Sequence, residues 1–149
     1  MVPSAILGNL SKKYLNFKTL LQEVKIKDII TNIGLYHLGF CPKENVNGEN
    51  FRFLGIISKN REEWGIADLA CLRSSITIVP FFESLGNEGI AFILNQTQLT
   101  TICCEKRFLA TIFKQKQEGK IEKVANIICF DEINEESRKQ AEELGLNTY

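Results

Sequence analysis

Phe51-Arg52-Phe53-Leu54-Gly55-Ile56-Ile57, then Asn60-Arg61-Glu62-Glu63-Trp64-Gly65-Ile66-Ala67-Asp68-Leu69-Ala70-Cys71, then Ile76-Thr77-Ile78-Val79-Pro80, reads as a strand, a helix and a second strand. The first run is mostly apolar without a clean alternation, the pattern of a strand covered on both faces in a parallel sheet. Asn60 with Glu63 three residues later suggests a capping box, opening a helix that turns Trp64, Ala67 and Cys71 toward the sheet. Ile76 to Val79 is β-branched throughout, and Pro80 stops that strand because it has no N–H to give to a ladder.

The same alternation continues toward the C-terminus. A helix starting near Asn87 puts Ile90, Ile93 and Leu94 on one face. Thr100 to Cys104 is the next strand, and Phe108, Leu109, Ile112 and Phe113 mark the helix behind it. Val124 to Phe130 is a further strand, followed by a highly charged helix from about Asn134 to Leu144-Gly145. Strand and helix alternating in this way is the sequence sign of βαβ units. The fold class expected is therefore α/β: a partial doubly wound, mainly parallel sheet with flanking helices.

Upstream, Tyr14-Leu15-Asn16-Phe17 suits a short edge strand, and Thr19 with Gln22 has capping-box spacing. Ile26, Ile30 and Ile33 then form an apolar helical stripe that Gly39 would close. Cys41 to Asn50, with Pro42, Gly48 and several Asn, reads as a loop. Leu146 to Tyr149 follows the last helix directly, and the chain is expected to stop there short of the next strand. Residues 1–149 are thus expected to be a single incomplete domain, with an open sheet edge that a partner must cover.

Composition narrows the function classes. Lys+Arg and Asp+Glu balance at 18 each, so no global field draws the chain to nucleic acid or an anionic membrane. No apolar run approaches the roughly 18–20 residues of a transmembrane helix, and the start lacks the basic flank of a secretory signal. An intracellular setting is therefore expected, and the triplets Asn9-Leu10-Ser11 and Asn95-Gln96-Thr97 are read as chance glycosylation patterns. The 5 cysteines (Cys41, Cys71, Cys103, Cys104 and Cys129) have no C-x-x-C spacing and are expected to be buried and reduced. His37, the 1 histidine, has no neighbour at ligand spacing, so no metal site is expected.

Other candidate chemistry is thin. Gly86-Asn87-Glu88-Gly89 opens a helix, yet it lacks the Lys-Ser/Thr of a P-loop and the G-x-G-x-x-G of a dinucleotide loop. Glu83 and Glu88 beside it would repel phosphate, so glycine punctuation is the reading preferred. Glu62 and Glu63 favour the positive end of their helix, and Asp68 has no nameable base or metal partner. No catalytic, cofactor-binding or metal-binding residue is assigned.

Gly55-Ile56-Ile57-Ser58-Lys59-Asn60-Arg61-Glu62-Glu63-Trp64 resembles the early G-I-x-S-x-N-R-x-E-W segment of long-chain acyl-CoA synthetases. Thr77-Ile78-Val79-Pro80, Ser84-Leu85-Gly86 and Ile93-Leu94-Asn95-Gln96-Thr97 follow in the family's order. Tyr14-Leu15-Asn16-Phe17-Lys18-Thr19 with Glu23-Val24 looks like its Y-x-W-x-T-Y-x-E-V segment, with Phe17 in place of Trp and Leu20 in place of Tyr. The similarity runs from about Tyr14 to Leu146.

The resemblance implies part of the large N-terminal domain of an adenylate-forming enzyme. The parent reaction joins a fatty acid to coenzyme A through an acyl-AMP, using ATP, Mg and CoA. The family's T-S-G-T-T-G-x-P-K-G phosphate loop, its later nucleotide motifs and its C-terminal catalytic Lys do not occur in these residues. The chain by itself is accordingly expected to be non-catalytic and to hold no cofactor. Its partner would be the remainder of a synthetase; the alternative is a stand-alone structural subunit docked in a larger complex.

Overall fold

The apolar run of residues 53–57 becomes the second strand of a parallel sheet in the computed structural model, which describes residue 35 and residues 38–46, 48–82 and 84–149. The strands are β3 (Phe53–Ile57), β4 (Thr77–Pro80), β5 (Thr101–Cys104), β6 (Asn126–Cys129) and β7 (Asn147–Thr148). They lie side by side in the order β4-β3-β5-β6-β7, and every neighbouring pair is parallel. The connecting helices are α1 (Glu62–Arg73), α2 (Asn87–Thr97), α3 (Leu109–Gln117) and α4 (Glu135–Glu143), with a short 3-10 turn at Lys106–Phe108 before α3.

This strand order explains why both faces are covered. From β3 the chain steps outward to β4, then crosses back over β3 to β5 and continues the same way to β6 and β7. Right-handed crossovers put helices on opposite faces when the stepping direction reverses. One cluster accordingly gathers Ile57, Ile90, Leu94, Ile102, Ile112, Ile127 and Ala141, the inward side chains of α2, α3 and α4 against the sheet. The other gathers Leu54, Ile56, Ala67, Ala70, Cys71 and Cys103, where α1 packs, and adds Leu35, Phe40 and Cys41. Alternate residues of β3 and β5 serve opposite clusters, which is why neither strand shows a polar side.

Burial of these side chains contributes about 1.5–3 kcal/mol for each Leu or Ile taken fully out of water. Leu54, Ile56, Ile102 and Ile127 are all 0% exposed. Polar groups that enter the core are satisfied locally: Thr101, itself buried, donates its hydroxyl to the Phe40 carbonyl, and Thr100 does the same at 2.9 Å. That pairing fastens the segment around residue 40 to the start of β5. Gly39 takes φ +65, and the Phe40 N–H reaches the Leu35 carbonyl at 3.2 Å.

Several expectations need correction. Cys41 to Asn50 is not a plain loop, because β1 (Glu44–Val46) and β2 (Glu49–Phe51) pair as an antiparallel hairpin. Where the hairpin turns, Gly48 takes φ +89 and donates its N–H to the Asn45 side chain at 3.2 Å. The capping box of Asn60 and Glu63 does not form: Arg61 is the residue before α1, and Glu63 turns its carboxylate to the Arg61 guanidinium instead. The last residues do not stop short of a strand, since Asn147 and Thr148 pair with Asn126 and Ile127 as β7. The Asn134 cap is present, its side chain accepting from the Ser137 N–H at 3.1 Å. The strand and helix read over Tyr14 to Ile33, and His37, lie outside the described residues.

No helix among the described residues is long and apolar enough to cross a membrane. All the cysteines are free; Cys41, Cys71, Cys103 and Cys104 are buried, and Cys129 is half-buried.

Candidate functional site

In an open parallel sheet, the place where neighbouring connections diverge leaves a crevice at the carboxyl ends of the strands. Here the divergence lies between β3 and β5, because the connection from β3 goes to one side and that from β5 to the other. The residues leaving these strand ends are Ser58 to Arg61 after β3, Phe81 and Phe82 after β4, Glu105 to Phe108 after β5, and Phe130 and Asp131 after β6. A cleft of about 330 Å³ is lined there by Ser58, Lys59 and Asn60, by Trp64, and by Pro80, Phe81 and Phe82.

Arg61 organises the centre. Its Nε donates to Glu63 Oε2 at 2.7 Å and its Nη2 to Glu63 Oε1 at 2.9 Å, a two-pronged grip on one carboxylate. Its Nη1 donates to Asp131 Oδ1 at 2.9 Å, and Nη2 also approaches the Phe130 carbonyl at 3.4 Å. The guanidinium lies 5.4 Å from the centre of the Phe130 ring, in range of a cation–π attraction. Planar, fork-shaped donors suit Arg to this role in a way Lys could not match.

Two carboxylates at this edge, Asp131 from the Arg61 cluster and Glu105 beside it, also hold backbone. Asp131 Oδ2 accepts the Lys106 N–H at 2.8 Å, and Glu105 Oε1 accepts the Lys59 N–H at 2.6 Å. Arg107 closes on the remaining oxygen of Glu105 at 2.9 Å. The loops after β3, β5 and β6 are thereby laced to one another by side chain-to-backbone bonds that reach across strand ends. Exposed ion pairs of this type are worth about 0–1 kcal/mol each, so their effect is to fix loop geometry more than to stabilise the fold.

The electrostatics follow from those bonds. The Arg61 guanidinium holds the Glu63 carboxyl below the usual carboxylate range. The Lys106 amide, with Arg61 behind it, does the same to Asp131, and Arg107 with the Lys59 amide does the same to Glu105. Arg61 itself is pushed further up by Glu63 and Asp131. A carboxylate stabilised in its charged form is a weak base, and general acid–base work needs the opposite shift, toward neutral pH. This arrangement can orient loops; it does not offer a proton acceptor.

The residues singled out in the sequence fall in different places. Glu63 joins the Arg61 network, whereas Asp68 sits half-buried farther along α1. Gly86 precedes α2, and Glu88 in its first turn takes Lys120 Nζ at 2.8 Å, so acidic charge occupies that helix start. No group of three or more His, Cys, Asp or Glu among the described residues is placed to hold a metal ion. With Glu63, Glu105 and Asp131 spent on arginines and amides, the donor set at this edge does not fit a magnesium–triphosphate. No step through ATP, Mg or CoA is derived from these residues. The Arg61–Asp131 link joins positions 70 residues apart, and no spacing rule in the sequence exposes it.

Comparison with known proteins gives these features a context. Residues 43–147 match the family described as AMP-binding enzyme. Long-chain-fatty-acid–CoA ligase 5 of Mus musculus is 32% identical over 113 residues, 75% of this chain and 16% of that protein. Fatty acyl-CoA synthetase B of Dictyostelium discoideum is 32% identical over 143 residues, 95% of this chain and 19% of that protein. The chain thus spans less than a fifth of the length of these relatives. Among solved structures, the adenylation domain of a carboxylate reductase from Mycobacterium chelonae superposes with a TM-score of 0.68 at 16% identity, over 85% of this chain and 20% of that one. An anthranilate CoA ligase in complex with anthranoyl-AMP gives 0.62 at 16% identity, over 73% of this chain and 19% of that one. Identities that low establish a common fold and nothing more.

Proposed function

The chain belongs to the AMP-binding enzyme family, and from that premise we propose that it is the N-terminal segment of a long-chain fatty acid–CoA ligase. The parent reaction joins ATP, a fatty acid and CoA to give acyl-CoA, AMP and pyrophosphate. In this reading residues 1–149 supply a wall of the large domain, and ATP, Mg and CoA are held by residues outside them. The segment is not catalytic by itself.

The observation that carries this reading is family membership over residues 43–147, and the strand-end network supports it by holding Glu63 and Asp131 in their charged forms as loop fasteners. The Arg61 lacing supports a positioning role: it holds the loops after β3, β5 and β6 in fixed relation at the edge where open α/β sheets place their ligands. A stand-alone structural subunit is the second reading. It is favoured by the outer sides of β4 and β7, which pair with nothing among the described residues, and by exposed Phe82 and Phe92, at 71% and 66%.

Exchange of labelled pyrophosphate into ATP, driven by a long-chain fatty acid, tests the first reading. Residues 1–149 alone should give no exchange above the rate without fatty acid. The native polypeptide that contains them should give it readily. Fatty-acid-dependent exchange by residues 1–149 alone would refute the assignment of catalysis to residues elsewhere.

A further inference from the structure

The cysteines sort by sheet face. Cys41, Cys71 and Cys103 all belong to the α1 side; burial pushes the Cys41 and Cys71 thiols up to about 12 and holds that of Cys103 well above the usual thiol range. Thiols held so firmly in the neutral form are inert small hydrophobes. Cys104 and Cys129 belong to the opposite side: Cys104 lies in that core, and Cys129 packs against it from the end of β6.

Cys104 and Cys129 are direct register partners of β5 and β6, and their side chains leave the sheet on one face. Neighbouring strands are about 4.7–4.9 Å apart, within the roughly 4.4–6.8 Å between Cα atoms that a disulfide spans. The two thiols are hydrogen-bonded to each other. The exposure is unequal, since Cys104 is 0% exposed while Cys129 is half-buried at the strand end. Cys129 is thus the member of the pair nearer solvent, and Cys104 lies in the core.

We propose that Cys104 and Cys129 form a redox-active dithiol, with Cys129 attacking small-molecule disulfides and Cys104 resolving the product into an intrachain disulfide. The Cys129 thiolate attacks one sulfur of the small disulfide, its S–S bond breaks, and one small thiolate leaves. The Cys104 sulfur then attacks the Cys129 sulfur and expels the second small thiolate, and the Cys104 proton goes to a departing thiolate. Two protein thiols lose two electrons, and one small disulfide gains them as two small-molecule thiols.

The surroundings suit this division of labour. Cys104 donates its S–H to Cys129, and the Asp131 amide and the Lys106 charge also favour a thiolate at Cys129, whereas the Asp131 carboxylate opposes it. The balance draws the Cys129 thiol down to about 7, while Cys104 is pushed well up by the same bond and by its burial. The new bond would join β5 and β6 immediately before Glu105, Lys106, Phe130 and Asp131, so oxidation would act on the loops that Arg61 laces together.

The test treats the folded native polypeptide with oxidised glutathione, quenches with acid, alkylates remaining thiols in denaturant and maps the peptides. A Cys104–Cys129 cross-link reversed by a reductant is expected, with Cys41, Cys71 and Cys103 recovered as alkylated thiols. Reaction at Cys129 should outpace that at Cys41 by more than about tenfold and should rise as pH passes through about 7. Cys104→Ser should leave a persistent glutathione adduct on Cys129, and Cys129→Ser should leave Cys104 unmodified. An unresolved adduct on the wild-type Cys129, or oxidation there no faster than at Cys41, overturns the proposal. Either result is read from the wild-type map even where a variant does not fold.

Discussion

Ile102→Ala should destabilise the fold by about 2–5 kcal/mol, the largest loss expected from any single truncation described here. Ile102 is 0% exposed in the middle of β5, and it packs in the cluster shared by α2, α3 and α4. Parallel strands lie on both its sides, so neither backbone nor solvent can move in to fill the space left behind. The cost therefore includes the cavity as well as the lost transfer free energy. Trp64 is the 1 tryptophan of the sequence and packs against the opposite cluster, which makes its fluorescence a probe of whether the whole sheet fails together. In urea the midpoint followed at Trp64 should fall with little change in slope. Leu72→Ala, at a side chain 70% exposed on α1, should move it by no more than about 0.5 kcal/mol and serves as the control. Equal effects of the two substitutions would mean that Ile102 is not at a packed centre.

Gly55→Val should cost about 1–3 kcal/mol or more, through overpacking instead of a void. Gly55 lies in β3 directly beside Ile102. A Cβ there would stand 3.1 Å from Phe81 Cε2 and 3.3 Å from both Ile102 Cγ1 and Leu99 Cδ2. One methyl asks those side chains to shift by a few tenths of an ångström, and an alanine loses less chain entropy in a strand than glycine, by about 0.5–1 kcal/mol. Gly55→Ala should consequently fall close to wild type. The branched valine adds two further carbons against a ring and two aliphatic side chains that have no room to retreat. The same urea titration ranks the pair, and a valine tolerated as well as alanine would show that Phe81 does not close over this point of the strand.

How far the sequence disclosed this architecture depended on the range of the signal. Strands buried on both faces, such as Phe53 to Ile57 and Thr101 to Cys104, announce themselves through uninterrupted apolar residues, and so the βαβ alternation was readable. The hairpin at Glu44 to Phe51 was not, because its residues are half-buried or exposed and show no alternation. Asn47-Gly48 was the available signal, since that dipeptide favours the tight turns that match strand twist. The same residue types punctuate ordinary loops, so alone they do not mark a hairpin. The start of α1 was misplaced by one residue because Glu63, the expected partner of a capping box, finds a stronger partner in the Arg61 guanidinium. β7 has only two residues, too few to carry a pattern of its own.

The strand-end network was less legible than the fold for a physical reason. Arg61 and Asp131, Lys59 and Glu105, and Cys104 and Cys129 each meet only because parallel strands bring their C-terminal ends to one edge. Register decides those meetings, and register is a property of the folded sheet. The family resemblance was legible because it rests on contiguous residues, Gly55 to Trp64 above all, which need no fold to be compared.

The intact mass of the native polypeptide that carries these residues, purified under denaturing conditions, tests the central claim most directly. Residues 1–149 weigh 16.9 kDa and cover 16% of the mouse ligase that they resemble. A segment of a complete fatty acid–CoA ligase predicts a mass several times 16.9 kDa. A mass equal to 16.9 kDa would contradict that account and leave the stand-alone structural subunit as the reading to pursue.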